Sequence, residues 1–346
     1  MRHHGPVERP GWRGFVTLLI GAVSIAALLY VASPSKVVHQ LSTMQIGWVL
    51  GAVAFELASC LSYVVVFRRL FPEPPRRIGW QVAWIAMGAG AVLPGGNMAS
   101  AVSTGVMLRN HGIGTRRLAE RCAELLCFLT AFGFLVNGLA AIAILLHIDS
   151  RHYSVLHALG PIAVSIVVLG GAWLLAHSIR RLGPRAPKVI RGVATGLEGG
   201  FRLAREAHWR LLGACGFTLL DMGALWAACR ATGHPLGAPA LMVAYCIGYL
   251  ATLIPVPAGI GVLDTGLSGS LVLYGVAGPA AVGATLVYHV VSIWVPGLGG
   301  LLAWLPTRYG RASGPQATST DEASAVLVAQ PLTQLSTADL AADSVG

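Results

Sequence analysis

Long apolar runs separated by short clusters of arginine set the pattern of this chain. Residues 15–32 (FVTLLIGAVSIAALLYVA) carry no charge, and similar runs cover 46–66, 122–146, 158–176, 211–229 and 280–305. At about 1.5 Å rise per residue, each is long enough to cross a hydrocarbon core of roughly 30 Å. The pattern therefore predicts six full transmembrane helices.

Two further apolar segments are too short to cross. Residues 79–93 (GWQVAWIAMGAGAVL) reach only about 22 Å before Pro94-Gly95-Gly96-Asn97 stops the helix, and a second short piece follows over 98–108. Residues 239–254 are likewise broken by a stretch containing Pro255, Pro257, Gly259 and Gly261, with a second piece over 262–274. Each pair reads as a re-entrant hairpin with a Pro/Gly tip, and such non-helical backbone at membrane depth requires protein or a watery cavity around it. Arg68, Arg69, Arg76 and Arg77 precede the first pair, and Arg109, Arg116, Arg117 and Arg121 follow it. By the positive-inside rule both ends of that hairpin face the cytoplasm, whereas the second hairpin, almost without Lys or Arg at its flanks, opens outward.

The predicted fold is thus an all-α integral membrane protein with six full spans and two re-entrant broken hairpins (about eight spans by hydropathy). It divides into a basic cytoplasmic N-terminus over 1–14, a transmembrane domain over 15–305 and a disordered cytoplasmic tail over 306–346. Residues 189–207 are expected to lie as an amphipathic helix on cytoplasmic head groups. An internal repeat adds to this. Gly51-Ala52-Val53-Ala54-Phe55 resembles Gly213-Ala214-Cys215-Gly216-Phe217, and Pro94 falls against Pro255. Full span, broken hairpin, full span recurs in the halves 46–146 and 211–305. An odd number of crossings separates their starts, so the halves point in opposite directions, as in transporters built from inverted repeats.

Composition agrees with a lipid-solvated chain. Only 11% of residues are charged and 55% are hydrophobic, against about 25% charged in soluble domains; the mean hydropathy is +0.69. The net charge of +10 comes from clusters between apolar runs, including Arg180, Arg181, Arg185, Lys188 and Arg191, as orientation signals do. Nucleic-acid binding is set aside because no cluster interleaves with aromatics. The six cysteines make no C-x-x-C pair or Cys/His metal spacing, and no metal or cofactor is expected. The 15–32 run exceeds a signal h-region and lacks a small-x-small cleavage site, so it reads as a retained span.

The stretch Leu253-Ile254-Pro255-Val256-Pro257-Ala258-Gly259-Ile260-Gly261-Val262-Leu263-Asp264 resembles the Pro-x-Pro-Gly-Gly-x-Gly-x-x-Glu signature of the lysylphosphatidylglycerol synthetase/flippase transmembrane family. Leu271-Val272-Leu273-Tyr274-Gly275, Tyr288-His289, Trp294-Val295-Pro296 and the Glu120-Arg121 entry to the third span echo its other patterns, so that the resemblance covers about residues 12–306. Ala258 stands for a glycine, Asp264 for the usual Glu and His289 for the usual Arg, and the first tip departs from the family's acidic form. The resemblance implies lipid handling, since the membrane part of the bifunctional members translocates an aminoacylated phospholipid. Some forty polar residues after the last span are too few for their synthase domain, so synthesis is not expected.

Glu56 and Asp221 sit in the middle of their spans, where an ionised carboxylate costs roughly 2.5–3.5 kcal/mol. Pairing, protonation or a polar substrate must offset that cost. Asp264 is placed to cap the half-helix after the second tip, and His289 to relay a proton or touch a head group. With the tips, these four form the candidate substrate and proton pathway, while Arg109, Arg116, Arg117 and Arg121 are candidate head-group contacts. For each, the plain alternative is an interhelical hydrogen bond, a tight turn or a surface contact. No G-x-S-x-G, H-E-x-x-H or G-x-x-x-x-G-K occurs, so no catalytic residue is assigned. The expected function is a flippase-like transporter moving a phospholipid or lipid-linked head group across the cytoplasmic membrane. A membrane enzyme on lipid-linked substrates and a non-catalytic partner of an envelope-synthesis enzyme are the alternatives. Membrane lipids, and on the last reading that enzyme, are the expected partners.

Overall fold

The computed structural model describes residues 34–93, 96–111, 113–148, 153–182, 188–206, 208–250 and 261–311. The first expected span, most of both tips (Pro94, Gly95, Pro255, Pro257 and Gly259) and nearly all of the tail lie outside them. Eleven α-helices follow in order: α1 Pro34–Ser42, α2 Ile46–Leu70, α3 Arg76–Val92, α4 Asn97–Leu108, α5 Thr115–Leu145, α6 Val155–Leu182, α7 Lys188–Glu206, α8 Leu212–Ala231, α9 Ala238–Leu250, α10 Val262–Leu273 and α11 Gly278–Arg311. Among the described residues there is no strand.

Five of these helices (α2, α5, α6, α8 and α11) are long and apolar enough to cross a membrane, matching the five predicted spans that fall on described residues. The chain is a multi-pass, all-α membrane protein. Outward apolar side chains follow from that: Val167 on α6 is 71% exposed and Leu302 on α11 66%, positions that only lipid would cover. The helices differ from the sequence expectation mainly in length. For example, α5 begins at Thr115 rather than 122, because Arg116, Arg117 and Glu120 continue the helix beyond its apolar part. Helix α1 was not anticipated; it is short and packs Val37 against Val282 and Leu286 of α11.

Helices α3 and α4 pack against each other, as do α9 and α10, so each broken segment is a short antiparallel helix pair. Gly96 (φ 43°) and Gly261 (φ 84°) begin the second arms, and only glycine takes such backbone angles at little cost. Close contact within and around the hairpins also depends on glycine. A Cβ on Gly248 would meet Leu267 Cα at 2.8 Å, and one on Gly88 would meet the Pro296 carbonyl oxygen of α11 at 2.8 Å.

Helices α2 and α8 pack closely along their length. Gln45 N–H donates to Ala231 O at 3.1 Å, a Cβ on Gly51 would lie 3.9 Å from Ala227 Cβ, and Ser59 Oγ donates to Phe217 O at 2.9 Å. Further along, a Cβ on Gly213 would fall 2.6 Å from Ser62 O. Rising numbers on α2 thus meet falling numbers on α8, so the pair is antiparallel. The core has two main parts. One buried cluster joins α2, α3, α4, the start of α5 and the start of α8; the other joins α8, α9, α10, α11 and the end of α5.

Polar groups freed inside the apolar helices find partners. Pro161 lies within α6 and has no N–H for the carbonyl four residues earlier, His157. The Tyr274 hydroxyl of α10 donates to that carbonyl at 2.8 Å. Asn137 of α5, itself buried, donates to Pro161 O at 3.1 Å and Ser165 Oγ at 2.9 Å. Tyr274→Phe would leave the His157 carbonyl without its donor. It is expected to lower stability by about 1–2 kcal/mol, read as the melting temperature in detergent; an unchanged melt would mean that another group serves the carbonyl.

Candidate functional site

The register of α2 against α8 sets two carboxyl groups face to face. Glu56 lies three residues before Ser59 and Asp221 four after Phe217, so the contacts on either side place them opposite one another at mid-helix. Both are buried, 5% and 7% exposed. Glu56 Oε1 accepts the Cys60 thiol at 3.7 Å, while its Oε2 is buried with no donor among the described residues. An ionised carboxylate only accepts hydrogen bonds, so Glu56 Oε2 has room for one further donor.

Asp221 is further held by tyrosines. The Tyr245 hydroxyl of α9 donates to Oδ2 and the Tyr288 hydroxyl of α11 to Oδ1 at 2.8 Å. Tyr249, one turn after Tyr245, joins through a hydroxyl–hydroxyl bond to Tyr288 at 2.7 Å, and the Tyr245 and Tyr249 rings stack 4.4 Å apart. The partners of the carboxyl are therefore neutral hydroxyls, which supply hydrogen bonds without fixing the charge of the pair. Four helices, from both halves and the second hairpin, converge on one polar centre.

A second pair lies next to it. His289 follows Tyr288 on α11, and a residue advances about 100° around the helix, so its ring takes a different direction and bonds Asp264 through Nδ1. Asp264 is the third residue of α10 and its Oδ2 accepts the Gly261 N–H at 3.0 Å. The carboxyl closes the first turn of the half-helix, where negative charge also suits the helix dipole. Both residues are buried. The side chains that depart from the resembled family's Glu and Arg are thus partners of one another, and α11 ties both acidic residues, Asp221 and Asp264, to one helix.

The other candidate residues fall at the basic end of the molecule or at the tips. Of the first tip, Gly96 and Asn97 are described; Asn97 is exposed as the first residue of α4. Arg109 and Arg117 are exposed, and Arg116 pairs with Glu120 at 2.9 Å. Arg121 instead turns toward the protein: it binds the Glu73 carboxylate at 2.7 Å and lies over the Phe71 ring at 5.7 Å. That hydrogen bond holds the Glu73 carboxyl below its ordinary value of 4.5. A depressed acid stabilises the fold above the unfolded value and loses that contribution as pH falls through the folded one. Glu73→Gln should therefore flatten the loss of melting temperature below about pH 4.5, by no more than about 1 kcal/mol for so exposed a pair. An identical acid limb in the variant would show that the pair contributes nothing.

Sequence reasoning missed Tyr245 and Tyr249. Their signal was present: two tyrosines at i and i+4 inside a short apolar helix, whereas membrane proteins enrich this residue at the interfaces. It also passed over Glu124 of α5, which is 9% exposed and pairs with Arg202 of α7 at 2.9 Å. Among the described residues no group of three or more His, Cys, Asp or Glu side chains could hold a metal ion.

No curated protein matches the chain. A family pattern does, over residues 15–300, which take in five of the six apolar runs whole and most of the sixth, both broken segments and the Asp264–His289 pair. By that match, and by the all-helical membrane fold beneath it, the chain belongs to the lysylphosphatidylglycerol synthase TM region family.

Proposed function

We propose that this membrane protein is a flippase-like transporter that moves a phospholipid or lipid-linked head group across the cytoplasmic membrane. One observation carries the reading: Glu56 and Asp221 meet on the seam where two equivalent helices of opposed halves cross. A carboxyl pair costs stability in oil, and its position at the seam makes it sensitive to any movement of one half against the other. The family supports lipid as the cargo. Tyrosines close over Asp221 in the present conformation, so a head group passes between the hairpins only when the halves separate. Membrane lipids are the partners this requires. The basic ends around Arg68, Arg76, Arg109 and Arg117 support placing that face, with both termini and the tail, in the cytoplasm.

Reconstitution into vesicles carrying fluorescent phospholipids tests the proposal. The chain is expected to speed dithionite-sensitive transbilayer exchange, and Glu56→Gln or Asp221→Asn to slow it at least about tenfold, or roughly 1.4 kcal/mol in barrier height. Equal rates in vesicles with and without the protein would sink the reading.

A further inference from the structure

Glu56 and Asp221 bring two carboxyls into the bundle without a cation to answer them. Glu56 is the eleventh residue of α2 and Asp221 the tenth of α8, so about 14 Å of helix lies between each and its nearer end. Neither makes an ion pair among the described residues. The ionisable groups around Glu56 are Cys60 on α2, Asp221 on α8, Tyr249 on α9 and Tyr288 on α11, none of them a cation. Charges on α3, α5 and the turn before α8, which also pack on α2, belong to the basic end of the molecule (Arg76, Arg77, Arg116 to Glu124 and Arg210). His289 is engaged with Asp264 instead.

The two carboxyls are served unequally. Asp221 accepts a tyrosine hydroxyl on each oxygen, the kind of donor that an ionised carboxylate needs. Glu56 accepts only the Cys60 thiol, on Oε1 at 3.7 Å, and a thiol is a weak donor. Its Oε2 is buried without any donor among the described residues. An ionised Glu56 would therefore be desolvated with little in return. The acid form is neutral, and its O–H needs a single acceptor. Asp221 stands opposite, and each of its oxygens has one lone pair beyond the tyrosine bond. A metal ion fits less well. Hard cations take about six oxygens, whereas the hydroxyls here are engaged with Asp221 or with one another.

We propose that Glu56 carries the proton that couples transport to a proton gradient, while Asp221 stays ionised between its tyrosines. The proton adds to a Glu56 oxygen from water on one side when the halves separate, and leaves to water on the other side in the opposite opening. No bond of the lipid changes. The coupling rests on the transporter reading; the protonation of Glu56 in the closed state does not.

Infrared spectroscopy of the full chain in detergent tests the protonation. A buried carboxylic-acid C=O stretch is expected, lost in Glu56→Gln and kept in Asp221→Asn. Cys60→Ser, which offers Oε1 a stronger donor, should lower its frequency. No such band in the wild type, its survival in Glu56→Gln, or an unmoved band in Cys60→Ser would overturn the proton site, whether or not lipid moves.

Vesicles of phosphatidylcholine with a trace of NBD-labelled phosphatidylglycerol test the coupling, with the membrane potential clamped by potassium and valinomycin and protein-free vesicles as the baseline. Under a pH difference of about one unit, exchange of one lipid per proton should settle at about a tenfold difference between leaflets, roughly 1.4 kcal/mol. The difference should vanish at equal pH and in Glu56→Gln. Rapid exchange to an even distribution despite the gradient would sink the coupling and leave the transporter. Asymmetry driven by a sodium gradient instead would overturn the proton as the ion. No exchange in any vesicle would sink transporter and coupling together.

Discussion

Replacing Asp221 with alanine is expected to destabilise the purified chain by about 2–5 kcal/mol, because it orphans two buried hydroxyls at about 1–3 kcal/mol each. Tyr245 and Tyr288 both donate to this carboxyl from inside a cluster with little access to water. Asp221→Asn keeps one carbonyl oxygen, so one tyrosine stays satisfied and the loss should be about half as large. Tyr288→Phe takes one donor from Asp221 and a partner from the Tyr249 hydroxyl, so its loss should be close to that of Asp221→Asn. Detergent unfolding followed by circular dichroism ranks the three. If Asp221→Ala melted with the wild type, the cluster would not be what joins α8, α9 and α11. A low stability with unaltered secondary structure would locate the loss in helix packing.

Asp264→Ala should have the second-largest effect, about 2–4 kcal/mol. Loss of an N-terminal helix cap costs about 0.5–2 kcal/mol, and a buried imidazole without its acceptor adds about 1–3 kcal/mol. Both losses fall on α10, so the arm after the second tip should fray first and show faster amide exchange at Val262, Leu263 and Thr265. His289→Ala should cost less, since Asp264 keeps the Gly261 N–H. The double variant should lose about 1–2 kcal/mol less than the two singles added together, as residues in contact do. Additive losses would mean that the two side chains act separately, and the match between their departures from the family pattern would then be coincidental.

The five long apolar helices on described residues were legible because length and hydropathy are local properties of the chain. Residues 79–93 are too short to cross whatever surrounds them, and the helix that holds them ends at Val92. The mid-span position of Glu56 and Asp221 could be counted from the ends of their runs. Their meeting could have been inferred too. If two halves of one order point in opposite directions and their first helices touch, carboxyls at equal depth face each other. What was missing was the contact between α2 and α8, which rests on Gly51 and Gly213 lying under Ala227 and Ser62. In a chain with 43 glycines, nothing marks those two as the ones that bring helices together.

The sequence by itself determined that this protein is an all-α membrane protein and which stretches form its long apolar helices. Hydropathy and helix breaking act residue by residue, so they survive without knowledge of neighbours. Only the tertiary structure decided which groups satisfy which: Tyr245 and Tyr288 on Asp221, His289 on Asp264, Tyr274 on the carbonyl freed by Pro161, and Arg121 on Glu73 rather than on a lipid. It also decided that Gly196 and Gly199 of α7 form a packing face against Ala123 and Glu124 of α5. Hydrogen bonds and close contacts depend on the distance between helices that are far apart in the chain, and a one-dimensional pattern does not contain that distance.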